Sequence, residues 1–162
     1  MRVLGIDPGT ATTGFGCIDG RPGAAGRVEL IDHGVIRTAA GTPMPQRLAE
    51  LHAGLAALIG ELRPDAMAVE ELFFSSNAST ALTVGQARGV ILLAGAQAGL
   101  PIAEYKPMQV KQALTGYGAA DKRQMQDMLR LVLGLDRVPR PDDAADAIAI
   151  ALCHLQTARE AW

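Results

Sequence analysis

The sequence predicts an α/β fold in which a mixed five-stranded sheet is flanked by helices, and three observations predict it. Short apolar runs bounded by Gly, Pro and acidic residues recur along the chain. The first three follow one another with no helical pattern between them. The later ones alternate with segments whose leucines and alanines recur at three-to-four spacing, the order expected of α/β architecture.

Met1 to Ile6 is the first run, and Asp7-Pro8-Gly9-Thr10 turns the chain at its end. Thr12 to Asp19 and Val28 to Arg37 follow as β segments, and the Gly20-Arg21-Pro22-Gly23 turn between them makes an antiparallel meander. A helix is expected from about Pro45 to Leu62, where Leu48, Leu51, Leu55, Leu58, Ile59 and Leu62 share one face. Ala66 to Glu70 is a short buried strand that again ends in an acid. Asn77 to Ala98 reads as a long helix rich in Ala and Gly, and Pro101 to Tyr105 as a further strand of the parallel type. Three helical pieces complete the chain: Met108 to Leu114, Asp121 to Leu133 with Asp121 as N-cap, and Asp142 or Asp143 to about Ala158. No repeat, linker or domain boundary interrupts this order, so residues 1–162 are expected to form a single domain with length enough for a proper core.

Composition narrows the functional classes. Hydrophobic residues are 49% and charged residues 20% of the chain, which excludes a disordered segment. The formal charge of −2 excludes binding to nucleic acid through overall positive charge, but not through a local basic groove. Lys106, Lys111, Lys122, Arg123, Arg130, Arg137 and Arg140 cluster in one stretch that could supply such a groove. Cys17 and Cys153 stand far apart, outside any metal-ligand spacing, and fit a reduced, cytoplasmic compartment. Gly89 to Ala103 is broken by Gln97, Gly99 and Pro101, so no membrane span is expected, and no signal-peptide pattern opens the chain.

The chemistry points to acids. Asp7 and Glu70 both emerge from apolar strands at the edge where α/β sheets place their ligands. A carboxylate so placed is hard to desolvate unless a positive charge, such as a divalent metal, compensates it. Acids also end strands simply because turns take polar residues. Asp143 and Asp146 are three residues apart and project from one face of the last helix. Ala144, Ala145 and Ala147 leave that helix end slim enough to approach a strand closely. An acid at the helix start is ordinary capping chemistry, which accounts for Asp142 and in part for Asp143, but less well for Asp146 beside Ile148-Ala149-Ile150-Ala151. Four carboxylates converging on one edge would suit two hard cations with oxygen ligands. Spacing alone does not establish the convergence.

Taken together, the motifs resemble the RuvC family of crossover junction endonucleases. They are Gly5-Ile6-Asp7-Pro8-Gly9-Thr10 with Gly14-Phe15-Gly16, and Val69-Glu70 followed by Phe73. Leu82-Thr83-Val84-Gly85-Gln86-Ala87-Arg88-Gly89-Val90, Gln109-Val110-Lys111-Gln112 and Asp143-Ala144-Ala145-Asp146-Ala147 complete the set. Each is weak alone; five in the right order, from Met1 to about Gln156, are specific. The resemblance implies a ribonuclease-H-like fold and a homodimeric, metal-dependent nuclease that nicks two opposing strands of a four-way (Holliday) DNA junction in recombination and repair. It implies Asp7, Glu70, Asp143 and Asp146 as catalytic metal ligands, with Mg²⁺, or Mn²⁺ in its place, and two ions per site. Some members have His where this chain has Asp143, so oxygen-only coordination is expected here.

By the same resemblance Phe73 contacts junction bases, while Lys111 and Lys122, assisted by Arg123, contact the DNA backbone. Phe74 is assigned to the core, and the helix from Asn77 to Ala98 to the dimer contact or to packing on the sheet. The family's RuvA and RuvB branch-migration proteins are the expected partners. No role follows for His33, His52 or His154, the last read as a surface residue. A sugar-kinase or actin-like ATPase lobe shares the opening motif, but that architecture needs two lobes and this chain has room for one.

Overall fold

A computed structural model describes residues 1–23, 26–71 and 77–158. The strands are β1 (Arg2–Asp7), β2 (Thr12–Asp19), β3 (Glu29–Arg37), β4 (Ala66–Glu70) and β5 (Ile102–Tyr105). The helices are α1 (Met44–Leu62), α2 (Ala78–Gln97), α3 (Pro107–Thr115), α4 (Lys122–Leu133) and α5 (Asp142–Thr157). Each element expected from the sequence is present, with bounds displaced by a residue or so. The sheet order is β3-β2-β1-β4-β5. The β1–β2 pair is antiparallel, and so is β2–β3, as the turn at Gly20 suits, whereas β1–β4 and β4–β5 are parallel. The mixed five-stranded α/β expectation therefore holds.

Alternation along the central strands sends side chains to two cores. Leu4, Ile6, Phe15, Cys17, Met67 and Val69 pack against Leu51, Leu55 and Ile59 of α1 and Ala87, Ile91 and Ala94 of α2. On the other face Val3, Ile18 and Ala68 meet the buried residues of α5, among them Ala145, Ile148, Ala149, Leu152 and Leu155, with Val110 and Leu114 of α3 and Leu129 of α4 around them. Asp121 caps α4 as expected, accepting a hydrogen bond from the Gln124 amide at 2.9 Å while the Gln124 side chain accepts from the Asp121 amide at 2.9 Å. None of the described helices is long and apolar enough to cross a membrane.

The position of α5 is set by glycines in the strands beneath it. A Cβ on Gly5 would lie 2.0 Å from the Ala147 carbonyl oxygen, one on Gly14 2.0 Å from that of Asp143, and one on Gly16 2.4 Å from Ile148 Cγ1. Glycine inside a strand marks such a backbone approach. With alanines on the helix and glycines on the sheet, α5 lies directly on β1 and β2, its N-terminus over the ends of the central strands.

Candidate metal centre and nucleic-acid interface

The register fixes where the acids emerge. Gly5 stands opposite Ala68 on the parallel β1–β4 pair. Asp7 and Glu70, each two residues further, therefore leave adjacent strands at the same edge and on the face covered by α5. Asp7 pairs with Gly14, whose missing side chain admits the Asp143 backbone. Asp143 and Asp146, on the first turns of α5, are thereby carried over Asp7. One carboxylate oxygen from each of Asp7, Asp143 and Asp146 lies within 4.8 Å of the others, near enough to share a cation. Glu70 is not within that set, but it belongs to the same electrostatic cluster.

Burial and mutual repulsion mark the cluster. Asp7 is pushed up to about 8, first by burial and then by the negative charges of Glu70, Asp146 and Asp143, with Lys122 pulling the other way. Glu70 is raised by burial and by Asp146, and Lys111 offsets part of this. Asp146 meets solvent at the mouth of the site, yet the surrounding protein still raises its carboxyl, again against Lys122. Carboxylates that resist ionisation because they are buried, and then because of one another, have the charge that a divalent cation relieves. An oxygen-only donor set of this kind suits a hard ion such as Mg²⁺ or Mn²⁺.

Beside the acids is a cleft of about 270 Å³ lined by Glu70, Lys111, Lys122, Asp146 and the apolar Val110 and Met125, among others. Lys111 and Lys122 thus both face the groove that leads to the carboxylates. Arg123 is 92% exposed and its Nε lies 4.0 Å from Asp127 one turn along α4, so it points into solvent beside the groove. Phe73 and Phe74 lie outside the described residues.

Three side-chain arrangements in this region were not read from the sequence. Asp142 is not the α5 N-cap, which is Pro141, and it makes no capping bond. It instead accepts from Lys122 Nζ at 2.7 Å and from Arg140 Nη1 at 2.5 Å. The signal for this was weak, because its partners are 20 and two positions away in a stretch rich in cations. His154, expected on the surface, is half-buried: its Nδ1 is 2.8 Å from the Tyr105 hydroxyl, which also lies 3.0 Å from Thr157 Oγ1. Burial lowers its pKa, and the ring packs from the last turn of α5 against Tyr105 at the end of β5. His52 Nε2 is 2.7 Å from Gln97 Oε1 and links α1 to α2.

Comparison with known proteins agrees with this arrangement. The family model for crossover junction endodeoxyribonuclease RuvC matches residues 3–154. The crossover junction endodeoxyribonuclease RuvC of Chloroflexus aurantiacus is 64% identical over 158 residues, 98% of this chain and 94% of that protein. The structure of Thermus thermophilus RuvC in complex with Holliday junction substrate is 42% identical and superposes with a TM-score of 0.90, over 95% of this chain and 92% of the other. The yeast mitochondrial Holliday junction resolvase Ydc2 shares the fold at 17% identity, with a TM-score of 0.68 over 95% of this chain and 77% of the other. With its motifs in order, its sheet and helices matching, and a family match over almost its full length, this chain belongs to the RuvC family of crossover junction endodeoxyribonucleases.

Proposed function

We infer that this protein resolves four-way DNA junctions by symmetric, metal-dependent nicking of two opposing strands. The observation that carries the reading is the convergence of Asp7, Asp143 and Asp146 beside a groove lined by Lys111 and Lys122. Clustered negative charge facing a phosphate backbone would only weaken a pure binding protein, whereas a hydrolase needs it to hold cations. Bound divalent ions, which we take to be two Mg²⁺ with Mn²⁺ able to replace them, would activate a water and offset charge on the leaving oxygen.

The chain's own groups have separable tasks in this reading. Asp7, Glu70, Asp143 and Asp146 act as the catalytic ligands, and rigid strand and helix ends keep them in place. Lys111 and Lys122 contact phosphates on the way to the acids, and Arg123 adds long-range attraction from its exposed position. Phosphate contacts set the register of the strand without reading its sequence. Phe73 is assigned to stacking on an unpaired junction base, by the family resemblance and by the worth of such stacking, roughly 1–3 kcal/mol per base.

A homodimer belongs to the same proposal. Along α2, Leu82, Gln86, Gly89, Leu93 and Ala96 form an outward stripe, with Leu82 66% and Leu93 50% exposed, while Ala87, Ile91 and Ala94 face the core. A stripe so poor in charge suits burial against a second copy. Two-fold symmetry would then present two identical sites to the two equivalent strands of a junction. RuvA and RuvB remain the proposed partners on family grounds, with residues 1–162 acting as one nuclease domain.

The test uses a labelled mobile junction and a matched linear duplex, each with Mg²⁺, Mn²⁺ or EDTA, and the variants Asp7→Asn and Glu70→Gln. Paired nicks on the junction alone are expected, lost in EDTA and in both variants while binding persists. Tight junction binding without cleavage under either metal would overturn the reading in favour of a non-catalytic junction binder.

A further inference from the structure

We propose that Asp142 is a positioning residue that holds Lys122 at the rim of the acid cluster, facing the groove and out of the cation site. The proposal rests on the reading of the cluster as a cation site. Lys122 opens α4 and Asp142 opens α5, so the pair ties together the starts of the two helices that wall the cleft. The Asp142 carboxylate divides its oxygens, Oδ2 taking Lys122 Nζ at 2.7 Å and Oδ1 taking Arg140 Nη1 at 2.5 Å. Asp142 neither lines the cleft nor belongs to the set of three oxygens that converge.

Stability does not account for the arrangement. The Lys122, Asp142 and Arg140 side chains are 57%, 41% and 69% exposed, and ion pairs this open to water add little to folding. Position does account for it. The charge of Lys122 is felt at Asp7 and Asp146, and Asp143 and Asp146 both act on Lys122 in return. A flexible ammonium group released beside these carboxylates would be drawn among them and would compete with a divalent ion for the same oxygens. By taking the ammonium group itself, Asp142 leaves Asp143 and Asp146 free for the cation. It also leaves Lys122 on an exposed tether that can exchange one carboxylate oxygen for a phosphate oxygen when DNA arrives.

The test is a double-mutant cycle on the full chain, read by calorimetric titration with Mn²⁺ and by the Mg²⁺ dependence of junction cleavage. Asp142→Ala should weaken Mn²⁺ binding by about three- to tenfold, the scale of one Coulomb interaction in a partly exposed site. It should raise the Mg²⁺ needed for half-maximal cleavage by a similar factor, with an unchanged melting temperature in EDTA. In the Lys122→Ala background the same substitution should leave Mn²⁺ affinity unchanged, and Asp142→Glu should restore it in the Lys122 background. Equal weakening in both backgrounds would mean that Asp142 acts by its charge alone and would overturn its positioning role while leaving the cation site intact. No Mn²⁺ binding by the unsubstituted protein would overturn the cation site and this proposal with it.

Discussion

Gly14 of β2 lies against the backbone of Asp143 so closely that a Cβ added to it would stand 2.0 Å from the Asp143 carbonyl oxygen and 3.0 Å from the Asp143 Cβ. The strand pairing puts Asp7 directly beside Gly14, so this one absent side chain sets the separation between an acid on the sheet and an acid on the helix. Gly14→Ala should therefore lift the start of α5 and spread the cluster. Overpacking against backbone is expected to reduce stability by about 1–3 kcal/mol. Loss of cleavage should be much larger than the loss of fold, on the order of a hundredfold, because a displacement of about 1 Å suffices for that. Thermal melting and single-turnover cleavage on the same preparation check it. A variant that keeps full activity would show that the acids do not depend on this contact.

The cluster should make the metal-free protein more stable in mild acid than in mild base. Asp7 ionises near 8 in the fold and at its ordinary value of 3.8 when unfolded, so between these values the folded chain binds more protons than the unfolded one. Stability must then fall as pH rises through that window, and Glu70 and Asp146, also raised, add in the same direction. Asp7→Asn removes the largest of these effects and should stabilise the chain at pH 8 in EDTA by about 2 kcal/mol, a figure discounted because the carboxyl is not wholly shut off from solvent. Melting curves at pH 5 and pH 8 give the measurement. Mg²⁺ should raise the melting temperature of the unsubstituted protein and have little effect on Asp7→Asn.

Lysines in the groove should reveal themselves by salt dependence. Lys122→Ala is expected to weaken junction binding and reduce the slope of log affinity against log salt by about one phosphate contact. Lys111, which also lines the cleft and lies beside Glu70, should behave alike. Arg123→Ala, at a position 92% exposed, should lower the association rate at low salt with a smaller effect on the slope. Titrations in EDTA over a range of salt concentrations distinguish these cases. An unchanged slope for Lys122→Ala would remove that residue from the DNA path.

How much of this was legible beforehand depends on the kind of signal. Strands and helices were plain because apolar runs and breakers alternate cleanly, and Ala68-Val69-Glu70 and Gly5-Ile6-Asp7 have the same plan of an apolar strand ending in an acid. The slim start of α5 was also legible from Ala144 and Ala145. Its counterpart on the sheet was overlooked, although Gly5, Gly14 and Gly16 inside strands are the signal for it. The Asp142 ion pairs and the Tyr105–His154 bond were not legible, because both join elements whose approach only the packing decides. A histidine held by a tyrosine across 49 positions leaves no local pattern.

The α2 stripe supplies the last prediction. In the isolated chain Leu82 and Leu93 are 66% and 50% exposed, so a charge at either position is solvated and need not disturb the fold. Buried between two copies, the same charge would be desolvated in an apolar contact, which is strongly unfavourable. Leu93→Glu, alone or with Leu82→Glu, should therefore leave the melting temperature of the monomer nearly unchanged while raising the dimer dissociation constant by about a hundredfold or more. Sedimentation equilibrium measures the association, and a supercoiled plasmid bearing a cruciform reads its consequence. Two nicks placed within the lifetime of one complex give a linear product, whereas monomers acting independently give nicked circles. Circles replacing linear product in step with dissociation would tie symmetric cleavage to α2. A Leu82→Glu, Leu93→Glu protein that remains dimeric would place the interface elsewhere on the molecule.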